Sequence, residues 1–279
     1  MKKFLVLFMA VLCIAVLVFG HTYWKNKSKA AEIEGRSAVE KLLEKEKAEK
    51  QALINSLKPE NNKKQSFIDF LRYRALTENQ VKVSVVGSNV TAAIGATDSS
   101  YGWAELLRKQ LQSDTADIGS LRFVNHGYEG YSTSDLLTSK KIDLVIKEKP
   151  DLIIFENSLI NNHLQSLTIE QTTQDLQNIM AALKTGLPNA RIFIMSPNPV
   201  VNKDTKNSLG LTYMDYINAS KELITKNSWQ YIDSISGIEK KLTEENLILV
   251  DVLTNDYINP NNKGNWIWFE FLYEFLKSQ

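Results

Sequence analysis

Apolar and polar positions divide this chain into three stretches of different rhythm. The first is an uninterrupted apolar run, residues 4–20, with Lys2 and Lys3 before it. His21, Tyr23 and Trp24 follow, then Lys25, Lys27 and Lys29. In the second stretch, residues 30–57, Ala, Glu, Lys and Leu dominate. Ile33, Val39, Leu42 and Leu43 fall on one helical face there. Pro59 and the polar residues 60–65 end that helix.

From Ser66 onward short apolar runs alternate with helical periodicity. Residues 81–86, 121–124, 151–155, 190–195 and 229–232 read as strands, the first being β-branched and ending at Gly87. Residues 103–112, 134–147, 169–184 and 213–226 read as the helices between them. A last amphipathic helix over 263–276 presents Trp266, Trp268, Phe269, Leu272 and Phe275 as its apolar members. Strands alternating with helices at this spacing predict a central parallel sheet covered on both faces, a three-layer α/β/α domain. Functional residues are then expected just beyond the carboxyl ends of the strands.

The opening run is near the ~17-residue minimum for a membrane span and ends in an interfacial Tyr/Trp pair. It reads as an uncleaved signal anchor that tethers the chain to a membrane, with the bulk of the protein on the extracytoplasmic side. The alternative is secretion after cleavage of a signal peptide, for which Val18-Phe19-Gly20 is a poor site. The expected organisation is a transmembrane helix over 1–24, a charged helical stalk over 25–65 and a globular domain over 66–279.

Charge and rare residues narrow the chemistry. Lys and Arg total 33 against 32 for Asp and Glu, so nothing points to nucleic acid as a partner. The single cysteine, Cys13, lies in the apolar run, which excludes an internal disulfide and a cysteine zinc site. No clustering of His, Asp and Glu marks a metal site, and no cofactor motif is present. Only His21, His126 and His163 are available as imidazole bases.

The first three expected strands are each followed by a distinctive segment, and a fourth segment lies near the C-terminus. After the first comes Gly87-Ser88-Asn89-Val90-Thr91, and after the second Asn125-His126-Gly127-Tyr128-Glu129-Gly130. The third leads to Glu156-Asn157-Ser158-Leu159-Ile160-Asn161-Asn162, and Asp256-Tyr257-Ile258-Asn259-Pro260-Asn261 stands near the C-terminus. In order and spacing these segments resemble the four blocks of the SGNH (GDSL-type) hydrolases, over roughly 82–276. The resemblance implies a flavodoxin-like α/β/α fold and an ancestry of ester or acetyl-group hydrolysis.

Carried over position by position, the resemblance places Gly130 and Asn161 in the oxyanion hole and Asp256 where the histidine-orienting aspartate stands. Asn89 then occupies the position of the nucleophilic serine and Asn259 that of the histidine. Ser88 and Asn162 replace the aspartates of the first and third blocks. An asparagine amide has no comparable nucleophilic oxygen and accepts no proton near neutral pH. The expectation is therefore a catalytically impaired relative that binds an acylated envelope glycan, a small ester or a protein partner. An active esterase with Ser88 as a displaced nucleophile is the alternative. Glu156, at a strand end, is expected as a polar contact near the mouth, and His163 as a loop residue.

Overall fold

A computed structural model describes residues 2–116 and 119–278. The chain divides into two units, one ending at Ser56 and one beginning at Leu57. Helix α1, Lys2–Leu57, runs without a break through both the apolar run and the charged stretch. Its apolar part is long enough to cross a membrane, a property that a signal sequence shares. Among its described residues only Leu57 is buried. Exposed pairs one turn apart, Arg36–Glu32 at 2.7 Å and Lys45–Glu49 at 3.7 Å, are the local support of its charged part. Such pairs contribute only ~0.2–0.5 kcal/mol each.

The second unit is built on a five-stranded, wholly parallel sheet in the order β2-β1-β3-β4-β5. The strands are β1 Gln80–Gly87, β2 Ser120–Gly127, β3 Leu152–Glu156, β4 Arg191–Met195 and β5 Gln230–Ile232. Central strands read as continuous apolar runs because both of their faces are covered. All five residues of β3 are buried, for example.

Successive side chains serve opposite cores. Val81, Val83, Val85, Leu152 and Ile154 point to one, which α2 (Phe67–Glu78), α3 (Trp103–Asp114), α9 (Ser234–Glu244) and α10 (Asn262–Ser278) complete. Val86, Ile153, Phe155 and Ile194 point to the other. That core is completed by α4 (Thr133–Thr138), α5 (Lys141–Glu148), α6 (Leu159–Leu164), α7 (Ile169–Gly186) and α8 (Tyr213–Lys226). The result is the expected three-layer α/β/α domain.

The structure revises several details. The single helix expected over 134–147 is two, broken at Lys140, whose φ is 54°. Helices α2, α6 and α9 were not apparent in the sequence pattern. On α10, Trp268 is fully buried and stacks on Trp103 with ring centroids 5.7 Å apart, whereas Trp266 stays 48% exposed.

Among the described residues the two core clusters begin at Phe67. Residues 57–279 produced alone are therefore expected to unfold in one cooperative chemical-denaturation transition. Leu107→Ala, which empties a fully buried position of α3, should lower that stability by ~2–5 kcal/mol.

Candidate functional site

The sheet order places the site. From β1 the chain moves outward to β2 at one edge, and from β3 it moves the other way to β4 and β5. Between β1 and β3 the direction reverses, so the loops leaving their carboxyl ends diverge and leave a crevice. The segments that begin at Ser88 and Asn157 flank that crevice.

A carboxylate beneath the crevice holds these two segments together. Glu156, the last residue of β3, is fully buried rather than at the mouth. Its Oε2 accepts from the Ser88 N–H at 2.7 Å, the Ser88 hydroxyl at 3.0 Å and the Thr91 hydroxyl at 3.4 Å. Its Oε1 accepts from the Ser158 N–H at 2.8 Å, just ahead of α6. The approach needs glycine at Gly87, where an added Cβ would lie 2.5 Å from Glu156 Oε2. Burial pushes the Glu156 carboxyl above the usual carboxylate range, against the four hydrogen bonds that favour its charged form. Ser88 is 1% exposed and its hydroxyl donates to Glu156 Oε2.

Asn89, Gly130 and Asn161 meet. The Asn89 side-chain carbonyl accepts from the Gly130 N–H at 2.6 Å and from Asn161 Nδ2 at 3.3 Å. Asn161 Nδ2 also donates to the Tyr131 carbonyl at 2.9 Å, which fixes its orientation. Gly130 has a φ of 75°, a region costly for residues with a Cβ, although an added Cβ would meet nothing within 4 Å. The loop carrying Gly130 is tied back by Asn125, whose Nδ2 donates to the Thr91 carbonyl at 2.9 Å. The two donors expected to hold a substrate oxygen thus hold the protein's own amide oxygen.

Asp256 and Asn259 form the second group. Asn259 donates through its backbone N–H at 2.9 Å and its Nδ2 at 2.6 Å to the Asp256 carboxylate. Thr254 and the Ile258 N–H also donate to Asp256, at 2.6 and 2.8 Å. Burial raises the Asp256 pKa, but these hydrogen bonds outweigh it and hold the carboxyl below its usual range. Because Nδ2 faces a carboxylate, Oδ1 of Asn259 must face away, and it is buried with no hydrogen-bond partner. Among the described residues no hydrogen bond joins this pair to Asn89. The loop from Asn89 nevertheless reaches Gly95, where an added Cβ would lie 2.9 Å from the Cβ of Asn259.

The remaining polar candidates are engaged in structure. Asn162 accepts from the Thr133 N–H at 2.9 Å and donates to the Thr133 and Thr172 hydroxyls, bracing α6 against α4 and α7. His126 is buried between Tyr128 Oη and Glu148, each 3.1 Å away. His163 Nε2 lies 3.1 Å from the Thr205 carbonyl. No group of three metal-ligating side chains exists among the described residues.

A parallel sheet of this order, covered by helices on both faces, defines a three-layer α/β/α domain. Residues 85–267 match the GDSL-like Lipase/Acylhydrolase family, and the chain belongs to that family. Solved structures agree on the fold. A putative GDSL-like lipase from Parabacteroides merdae superposes with a TM-score of 0.59 at 16% identity, covering 71% of this chain and 96% of that one. A catalytic mutant of Axe2, an acetylxylan esterase from Geobacillus stearothermophilus, gives 0.56 at 17% identity, over 71% and 95%. A two-domain esterase active on acetylated mannans gives 0.59 at 13% identity. The match covers 74% of this chain but only 52% of that esterase, about half its length. No curated protein matches the chain.

A pH dependence of stability follows from Glu156. Its folded-state pKa is raised, so its contribution is full below the unfolded value of ~4.3 and is lost as pH rises through the folded value. Asp256, with its lowered pKa, acts in the opposite sense and loses its contribution as pH falls. Denaturation of wild type and Glu156→Gln over about pH 4 to 8 separates the two carboxylates. The variant should be less stable by ~1–3 kcal/mol at low pH and lack the decline toward alkaline pH. Parallel pH profiles would show that Glu156 does not titrate in this range.

Proposed function

We propose that this protein is a membrane-tethered, extracytoplasmic member of the family that has lost hydrolysis and retains ligand binding. Its ligand would be an acylated cell-envelope glycan, a small ester or a protein partner. The observation that carries this reading is the Asn89 amide oxygen held by Gly130 and Asn161. A serine hydrolase needs a hydroxyl at that position and a proton acceptor beside it. Here the first position carries an amide that fills the donors, and the second carries Asn259, whose amide remains neutral. Ser88 offers no substitute, since its hydroxyl is buried against Glu156. The apolar part of α1 supports the tether. The structural neighbours that act on acetylated xylan and acetylated mannans support an acylated carbohydrate as one ligand class.

The test is acetate release from acetylated xylo- and manno-oligosaccharides and from p-nitrophenyl acetate. Wild-type protein is expected at the buffer blank. An Asn89→Ser/Asn259→His double variant should exceed it by on the order of 10²-fold, because a nucleophile and its base are restored together. Wild-type turnover that Ser88→Ala abolishes would overturn the reading and make the protein an esterase.

A further inference from the structure

At the amino ends of β4 and β5, the end of the sheet opposite the crevice, the turns that leave α7 and α8 enclose a groove of about 430 Å³. Leu187, Pro188 and Ile192 give it apolar walls, and Trp229 adds an indole. Lys184 and Arg191 are its charged lining residues, and no Asp or Glu stands among the residues that line it.

Neither cation has a carboxylate partner among the described residues. Lys184 Nζ stands 5.5 Å from the centroid of the Trp229 ring. Its place in the last turn of α7 has a local explanation, since a cation there offsets the helix's C-terminal carbonyls. Arg191 has no such explanation. Its guanidinium carbon lies 4.0 Å from the Phe70 ring centroid and 5.1 Å from that of Phe67, and Nη2 donates to Gln65 Oε1 at 3.1 Å. All three partners are neutral. Arg74, Arg108 and Arg122, by contrast, each face a carboxylate. Burial pushes the Arg191 guanidinium below its ordinary value, with no neighbouring charge to oppose the shift. Arginine does not escape that cost by giving up its proton, and a half-buried charge stays costly until an opposite one joins it.

We propose that this groove binds an organic anion with an apolar body, its negative group held by Lys184 and Arg191 and its body against Leu187 and Trp229. Size admits such a ligand, since small-molecule sites occupy ~300–1,000 Å³. Charge selects its sign, because two cations without carboxylates line one groove. The walls select the body. A bare, fully hydrated ion gains nothing from Leu187, Pro188 and Ile192, whereas an aromatic or aliphatic group leaves water against them. The site lies at the far end of the sheet from Asn89 and Asn161, and it stands whether or not the crevice hydrolyses an ester.

The test is calorimetric titration of the full-length protein in phosphatidylcholine nanodiscs, with empty nanodiscs as the blank. The probes are naphthalene-2-sulfonate, naphthalene-2-sulfonamide and inorganic sulfate. The sulfonate is expected to bind on the order of 10-fold tighter than the sulfonamide, which keeps the rings without the charge. It should exceed sulfate, which keeps the charge without the rings, by a similar factor. Arg191→Gln and Lys184→Gln should each weaken the sulfonate on the order of 10-fold. Because Arg191 also packs on α2, the exposed Lys184 supplies the variant that leaves the fold undisturbed. Lys240→Gln, an exposed lysine of α9 outside the lining, should keep the wild-type affinity. Equal affinity for sulfonate and sulfonamide, sulfate matching the sulfonate, no binding of the sulfonate, or an unchanged Lys184→Gln overturns the assignment.

Discussion

The geometry of the site depends on a single buried carboxylate. Glu156 gathers the backbone N–H groups of Ser88 and Ser158 and two hydroxyls onto its oxygens. It thereby fixes the segment carrying Asn89 to the one carrying Asn161. A carboxyl taken fully out of water is costly unless donors surround it. The cost is offset only while both segments keep their places, so each loop position depends on the other. The whole crevice rests on this constraint, and the parallel pairing of β1 with β3 brings the partners within reach.

On the reading proposed above, Asn89 and Asn259 keep the hydrogen bonds of a triad site without its nucleophile and base. Each polar group of such a site needs a partner when the site is empty, because unpaired buried donors are costly. The Asn89 carbonyl supplies one for Gly130 and Asn161, and the Asn259 amide supplies the donor that Asp256 would otherwise receive from an imidazole. An alanine at 89 would remove the acceptor of the Gly130 N–H, and one at 259 would remove one of the four donors on Asp256. The amide is thus a structural substitute, matched to hydrogen-bond polarity rather than to reactivity. The buried Oδ1 of Asn259 and the Ser158 hydroxyl are left without hydrogen-bond partners there.

Much of this was legible in the chain because parallel strands buried on both faces announce themselves as short apolar runs. All five strands fall where those runs lie, and the first three blocks begin within the carboxyl ends of β1, β2 and β3. Four things were not legible. Helix α6 has only six residues, Leu-Ile-Asn-Asn-His-Leu, too few to show a period, so His163 read as a loop residue. Ser158 and Tyr257 adopt φ values of 55° and 59° without being glycine, and no local signal marks them. Glu156 read as a mouth residue because charge at a strand end ordinarily faces water. A charge ending a fully apolar strand between Gly87 and Ser158 was the available hint of burial. Side-chain direction at Asn89 was beyond sequence reasoning altogether, since pattern fixes a position and not a rotamer.

That direction has a consequence for anything approaching the crevice from solution. The Asn89 oxygen is an intramolecular ligand, tethered within reach of its donors by a few rotatable bonds. Tethering at even a flexible linker's distance produces effective concentrations around the millimolar range, and a well-oriented group far exceeds that. A free carbonyl compound competes against this internal concentration and not against water alone. The two donors are therefore self-saturated. An external ligand gains entry to them only if contacts elsewhere outweigh the tether, and selectivity in this protein then resides in surfaces beside the donors.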